Sequence, residues 1–108
     1  MNTVTSVNID LSKFNGPVYA GRARGENARV QVKLDQIDNS ASVVEVIVPD
    51  DTYTVTSSFF LGMFGPSVIK AGSRDEFLKR FHFKSPSFLK DDFEEYISYA
   101  LETRKLFA

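Results

Sequence analysis

Three adjacent hydroxyls, Thr56-Ser57-Ser58, stand between a short polar break and the apolar stretch Phe59-Phe60-Leu61-Gly62-Met63-Phe64-Gly65-Pro66. That order predicts a loop followed by the first turn of a helix. Two chemistries suit hydroxyls there. One hydroxyl caps the helix by accepting from an orphan backbone N–H, a contribution of about 1 kcal/mol. A second, turned outward, can carry a phosphate, adding about −1.5 to −2 charges where the helix dipole favours them. The expectation is Ser57 outward with Ser58 as the cap, or the reverse, with Phe59 or Phe60 as the apolar anchor for a partner.

A second candidate is Gly21-Arg22-Ala23-Arg24-Gly25, read as a basic loop before a helix. Guanidinium forks on Arg22 and Arg24, with Arg29 further along, could hold a nucleotide or phosphate together with backbone N–H groups. No Gly-Lys-Ser/Thr follows, so this is not a P-loop. Catalytic material is sparse. His82 is the single histidine and there is no cysteine, so neither a cysteine nucleophile nor a thiolate metal site can be built. No serine–histidine–acid order forms around His82, and Asp50-Asp51 reads as a turn rather than a cation site. The chain is therefore expected not to be an enzyme, and no cofactor or metal is expected.

The elements that must position these residues follow from periodicity. Val4 to Leu11, with Val7, Ile9 and Leu11 alternating, predicts a half-buried strand, broken by Asn15-Gly16-Pro17. Val18-Tyr19-Ala20 predicts a short extended piece. Val30, Val32 and Leu34 alternate as in a strand, while Val30, Leu34 and Ile37 sit at i, i+4 and i+7 as on a helix face, and one helix over about 26–37 is the favoured reading. Val43-Val44-Glu45-Val46-Ile47-Val48 is the most apolar run and predicts a central strand covered by helices on both faces, with Glu45 paired or near a sheet end. Gly65-Pro66 is expected to interrupt the helix that begins after Thr56. Ser73-Arg74-Asp75-Glu76 is a capping-box pattern opening a short helix, and His82-Phe83-Lys84 a candidate strand. Ser85-Pro86 is expected to cap a last helix carrying Leu89, Phe93, Ile97, Ala100 and Leu101 on one face. Its early acids and late Arg104 and Lys105 suit the helix dipole. Strand, helix, strand, helix, helix, strand, helix predicts a single α/β domain over residues 1–108 with a central, largely parallel (mixed) β-sheet flanked by helices.

Length and charge narrow the function. A 108-residue chain can bury a core of its own. A formal net charge of −1 gives no electrostatic basis for binding nucleic acid or an anionic membrane. No apolar run approaches the roughly 18 residues of a membrane span, and no signal-peptide pattern opens the chain, so a cytoplasmic location is expected.

Gly21-Arg22, Gly25-Glu26 and Arg29, followed by Ser58-Phe59-Phe60 and Phe64-Gly65, resemble the motifs of the STAS-like domain family, small bacterial and phage domains. The resemblance covers about residues 21–101. Gly62 stands where the family carries a Glu, and Pro66 and Ser67 where it carries Gly and Leu. STAS domains proper, the sulphate transporter and anti-sigma antagonist class, are more remotely similar. Ser57-Ser58 falls on their Asp-Ser-Ser-Gly motif, whose first Ser accepts phosphate from a partner kinase, with Thr56 in place of the Asp and Phe59 in place of the Gly. The resemblance implies a non-catalytic, regulatory protein-interaction module of the partner-switching kind, whose partner is another protein, a kinase or an ATPase. Two alternatives stand beside it: a nucleotide- or phosphate-binding domain, and a purely structural or homo-oligomerising subunit.

Overall fold

The computed structural model describes residues 6–14, 16–40 and 42–107, the side chains of 104–107 excepted. Val4, Asn15 and the side chains of Arg104 and Lys105, all named above, lie outside the described residues.

Strand β1 (Ser6–Asp10) leads into a 3-10 turn, Leu11–Lys13, and then into β2 (Val18–Tyr19). Helices α1 (Arg22–Gln31) and α2 (Leu34–Asp38) precede β3 (Val43–Ile47) and β4 (Thr54–Val55). Helices α3 (Ser57–Ala71) and α4 (Arg74–Arg80), strand β5 (Phe81–Lys84), a 3-10 turn at Ser87–Leu89 and helix α5 (Lys90–Phe107) complete the chain. The main sheet has the order β1-β3-β5 and the second pairs β2 with β4; every pair is parallel. The β-branched run around Val44 thus forms the central strand, as its composition predicts.

Register explains the sidedness of the sheet. Val7, Ile9, Val44, Val46, Phe81 and Phe83 share one face, and the helices pack there. Ser6, Asn8, Asp10, Val43, Glu45, Ile47, His82 and Lys84 share the other, and none of them is buried. The expectation of helices on both faces is therefore corrected: the odd positions of β3 are only half-buried. Glu45 is paired on the open face, 3.3 Å from His82 Nδ1 and 4.0 Å from Lys84 Nζ.

Helix α3 lies centrally, between α1 and α5. Phe60 meets the rings of Phe64, Phe83, Phe93 and Tyr96, stacking on Phe93 at 5.4 Å between centroids. This helix runs through Gly65-Pro66 instead of breaking there. A proline inside a helix costs about 3 kcal/mol. Phe59, Phe60, Met63, Phe64 and Val68 are all buried on the same helix, and each is worth roughly 1.5–3 kcal/mol, so packing outweighs the lost bond. The Pro66 ring faces solvent.

Two other boundaries differ from expectation. The single helix over 26–37 is two helices, joined at Lys33 in a left-handed conformation (φ 59°). One straight helix would put Val30 and Leu34 on one face; with the break, Val30 is exposed and Leu34 is fully buried. At the other end, Ser85 does not cap the last helix. A 3-10 turn with Pro86 at its cap comes first, and α5 starts at Lys90. Among the described residues, no helix is long and apolar enough to cross a membrane.

Candidate functional site

The start of α3 is held by the small second sheet. Thr56 N donates to Tyr19 O at 2.9 Å, and Tyr53 N donates to Pro17 O at 2.8 Å, so β2 positions the chain as it enters the helix. On the opposite side the Tyr96 hydroxyl of α5 donates to Val55 O at 2.9 Å. Burial pushes the Tyr96 phenol up, with Asp92 and Glu95 adding to it; burial also raises the Tyr19 phenol, helped by Asp51 and Asp10.

Thr56, and neither serine, is the cap: its Oγ1 accepts from Phe59 N at 3.2 Å. Both alternatives framed on Ser57 and Ser58 are corrected in that respect. Thr56 is the last extended residue (φ −76°, ψ 159°), which aims its hydroxyl back at the first turn. Ser57 is half-buried and Ser58 exposed, and among the described residues neither hydroxyl has a hydrogen-bond partner. Phe59 and Phe60 are both in the core, at 1% and 0% exposure, so neither can anchor a partner. The exposed aromatic beside this junction is Tyr53.

The basic segment also changes character. Arg22 and Arg24 sit on the first turn of α1, which starts at Gly21 with φ 93° and no side-chain cap. A side-chain-free start of this kind leaves no capping signal in the sequence. Arg24 Nη1 donates to Val18 O at 3.3 Å. Arg29 is removed from the phosphate-binding set, because its guanidinium is buried and committed to the protein. Nε donates to Asp35 Oδ1 at 2.9 Å, Nη1 to Met63 O and Ser67 Oγ at 2.8 Å each, and Nη2 to Asp38 Oδ2 at 2.9 Å. Nη2 also lies 2.8 Å from Asp35 Oδ1, so every donor of the planar fork faces an acceptor. Ser67 Oγ in turn donates to Asp38 Oδ2 at 2.5 Å, and Arg80 Nη1 stands 3.6 Å from Asp38 Oδ1. The partners Asp38, Ser67 and Arg80 come from three separate segments, which is why no local motif announces them.

Of the cavities that lie apart from this network, two border the long helices. One, about 250 Å³, is bounded by Lys13, Phe14, Arg24, Asn27, Ala28, Gln31 and Phe59. The other, about 510 Å³, runs between α4, β5 and α5 over Leu78, Phe81, Phe83, Phe93 and Ile97. Arg74 bridges its rim to Glu94 through Nε (2.6 Å) and Nη2 (2.5 Å). The His82 ring lies between Glu45 Oε1, 3.3 Å from Nδ1, and Lys79 O, 3.1 Å from Nε2. Among the described residues no group of three or more His, Cys, Asp or Glu side chains could hold a metal.

No family model, no curated protein and no solved structure matches the chain.

Proposed function

We propose that this chain is a non-catalytic, regulatory protein-interaction module of the STAS-like, partner-switching type, and that the start of α3 is its switch, with Ser58 as the phosphate acceptor. The supporting observation is the spare Ser58 hydroxyl: it is exposed and, among the described residues, without a partner, while Thr56 already caps the helix. A phosphate on Ser58 would sit on the first turn of a 15-residue helix, where negative charge is favoured. The fold would survive while the surface beside exposed Asp50, Asp51 and Tyr53 became strongly anionic. The partner is another protein, a kinase or an ATPase, acting in the cytoplasm.

Incubating the pure protein with extract of its host and ATP, then mapping phosphate by mass spectrometry, tests the reading. Phosphate on Ser58, and altered partner capture by Ser58→Asp, are the expected results. Absence of phosphate together with unchanged capture by Ser57→Asp and Ser58→Asp sinks it.

A further inference from the structure

None of the hydroxyls at the start of α3 lines the smaller cavity. Its polar wall is assembled from two elements. Arg24, Asn27 and Gln31 project from one face of α1 at i, i+3 and i+7, and Lys13 faces them from the end of the 3-10 turn after β1. Buried Ala28 and Phe59 close the bottom, and the half-buried ring of Phe14 forms an apolar side. The bond from Arg24 Nη1 to Val18 O ties the guanidinium to the neighbouring β2. Among the described residues, two cations and two carboxamides line the recess and no carboxylate does. The larger cavity lacks this character, because Glu94 lines it and neutralises Arg74.

Such a wall selects for a ligand that brings several oxygens and more than one negative charge. A phosphate monoester has three terminal oxygens and up to two charges, and Arg and Lys are the side chains suited to it. A carboxylate would satisfy only part of the donor set. The ring of Phe14 adds a surface on which a flat group can stack. A volume of about 250 Å³ is under the roughly 300 Å³ at which sites for drug-sized ligands begin, which suits an occupant of one ring and one phosphate. We propose that this recess binds a small phosphate monoester carrying a flat ring, with Lys13 and Arg24 on the phosphate and Phe14 against the ring.

The test is an NMR titration of the whole chain with phenyl phosphate, following the side-chain amide signals of Asn27 and Gln31. Both should move saturably. Lys13→Ala and Arg24→Gln should each raise the Kd about tenfold or more, the loss expected for one charge-assisted contact. Inorganic phosphate, lacking the ring, and phenol, lacking the charge, should each bind at least about tenfold more weakly. Because Arg24 also holds Val18, Lys13→Ala on the exposed turn is the deciding variant. Stationary amide signals at about 10 mM phenyl phosphate, a concentration far above any useful Kd, overturn the proposal. So does an unchanged Kd for Lys13→Ala, or inorganic phosphate binding as tightly as phenyl phosphate.

Discussion

Gly25 of α1 and Gly62 of α3 mark the crossing at which the two helix backbones touch. A Cβ on Gly25 would fall 2.2 Å from Phe59 O, and one on Gly62 2.4 Å from Arg22 O. Both clashes are with backbone, so no side-chain rotation relieves them. Neither position has room for a side chain.

The crossing predicts a contrast among the glycines of the two helices. Gly25→Ala and Gly62→Ala should each destabilise by about 1–3 kcal/mol, the range for forcing a methyl group into filled space. Gly65→Ala should not, because its Cβ would meet only Leu61 side-chain atoms at 3.9 Å and 4.0 Å, and alanine is the better helix former by about 1 kcal/mol. Urea unfolding of the three variants measures this. Equal midpoints for Gly62→Ala and Gly65→Ala would contradict the close approach.

The buried ion network predicts non-additivity. Asp38→Ala leaves the Arg29 guanidinium with the exposed Asp35 as its remaining carboxylate, and should cost about 3–5 kcal/mol. Ser67→Ala removes a neutral link in the same network and should cost about 1–2 kcal/mol. The double variant should fall short of the sum, since the Ser67–Asp38 bond is lost in both. A sum that closes within about 0.3 kcal/mol would show the two residues to be independent.

The capping geometry separates the three hydroxyls. Thr56→Ala should cost about 1 kcal/mol through loss of the bond to Phe59 N, whereas Ser58→Ala should stay within about 0.5 kcal/mol as an exposed substitution. Thermal unfolding in parallel would decide it. A larger loss for Ser58→Ala than for Thr56→Ala would reassign the cap.

Acid sensitivity is expected where α4 meets α5. Hydrogen bonds from Arg74 hold the Glu94 carboxyl below the usual carboxylate range, with the positive charges of Arg74 and Lys90 acting the same way. A carboxyl lowered in the folded state stabilises at pH values above its unfolded pKa, and that contribution is lost as pH falls through the folded value. The stability difference between the unaltered chain and Glu94→Gln should therefore be present at neutral pH and shrink on acidification. A difference that grows toward acid pH would have the wrong sign for this pair.

The amino-acid sequence by itself determined the elements whose signals are local. The β-branched run at Val43–Val48 made a central parallel strand. Ser73 accepts from Glu76 N at 3.2 Å as the capping pattern predicts, although the Glu76 carboxylate turns to Lys79. The spacing of Leu89, Phe93, Ile97 and Ala100 put all four in the core. The helical start at Arg22 was not legible, because Gly21 provides it through a positive φ and not through a capping side chain. The face shared by Arg24, Asn27 and Gln31 went unseen for the same reason.

Tertiary structure decided what depends on residues distant in the chain. Burial carried α3 through Pro66, since the packing of five apolar side chains exceeds the cost of one missing bond. Asp38, Ser67 and Met63 O drew Arg29 inward, where a desolvated guanidinium needs every acceptor it can reach. The second sheet set Thr56 as the cap and left Ser58 outside. The hydroxyls of the candidate switch were visible in the sequence; which of them is spent on the fold is a question of backbone direction, and only the packed chain sets that.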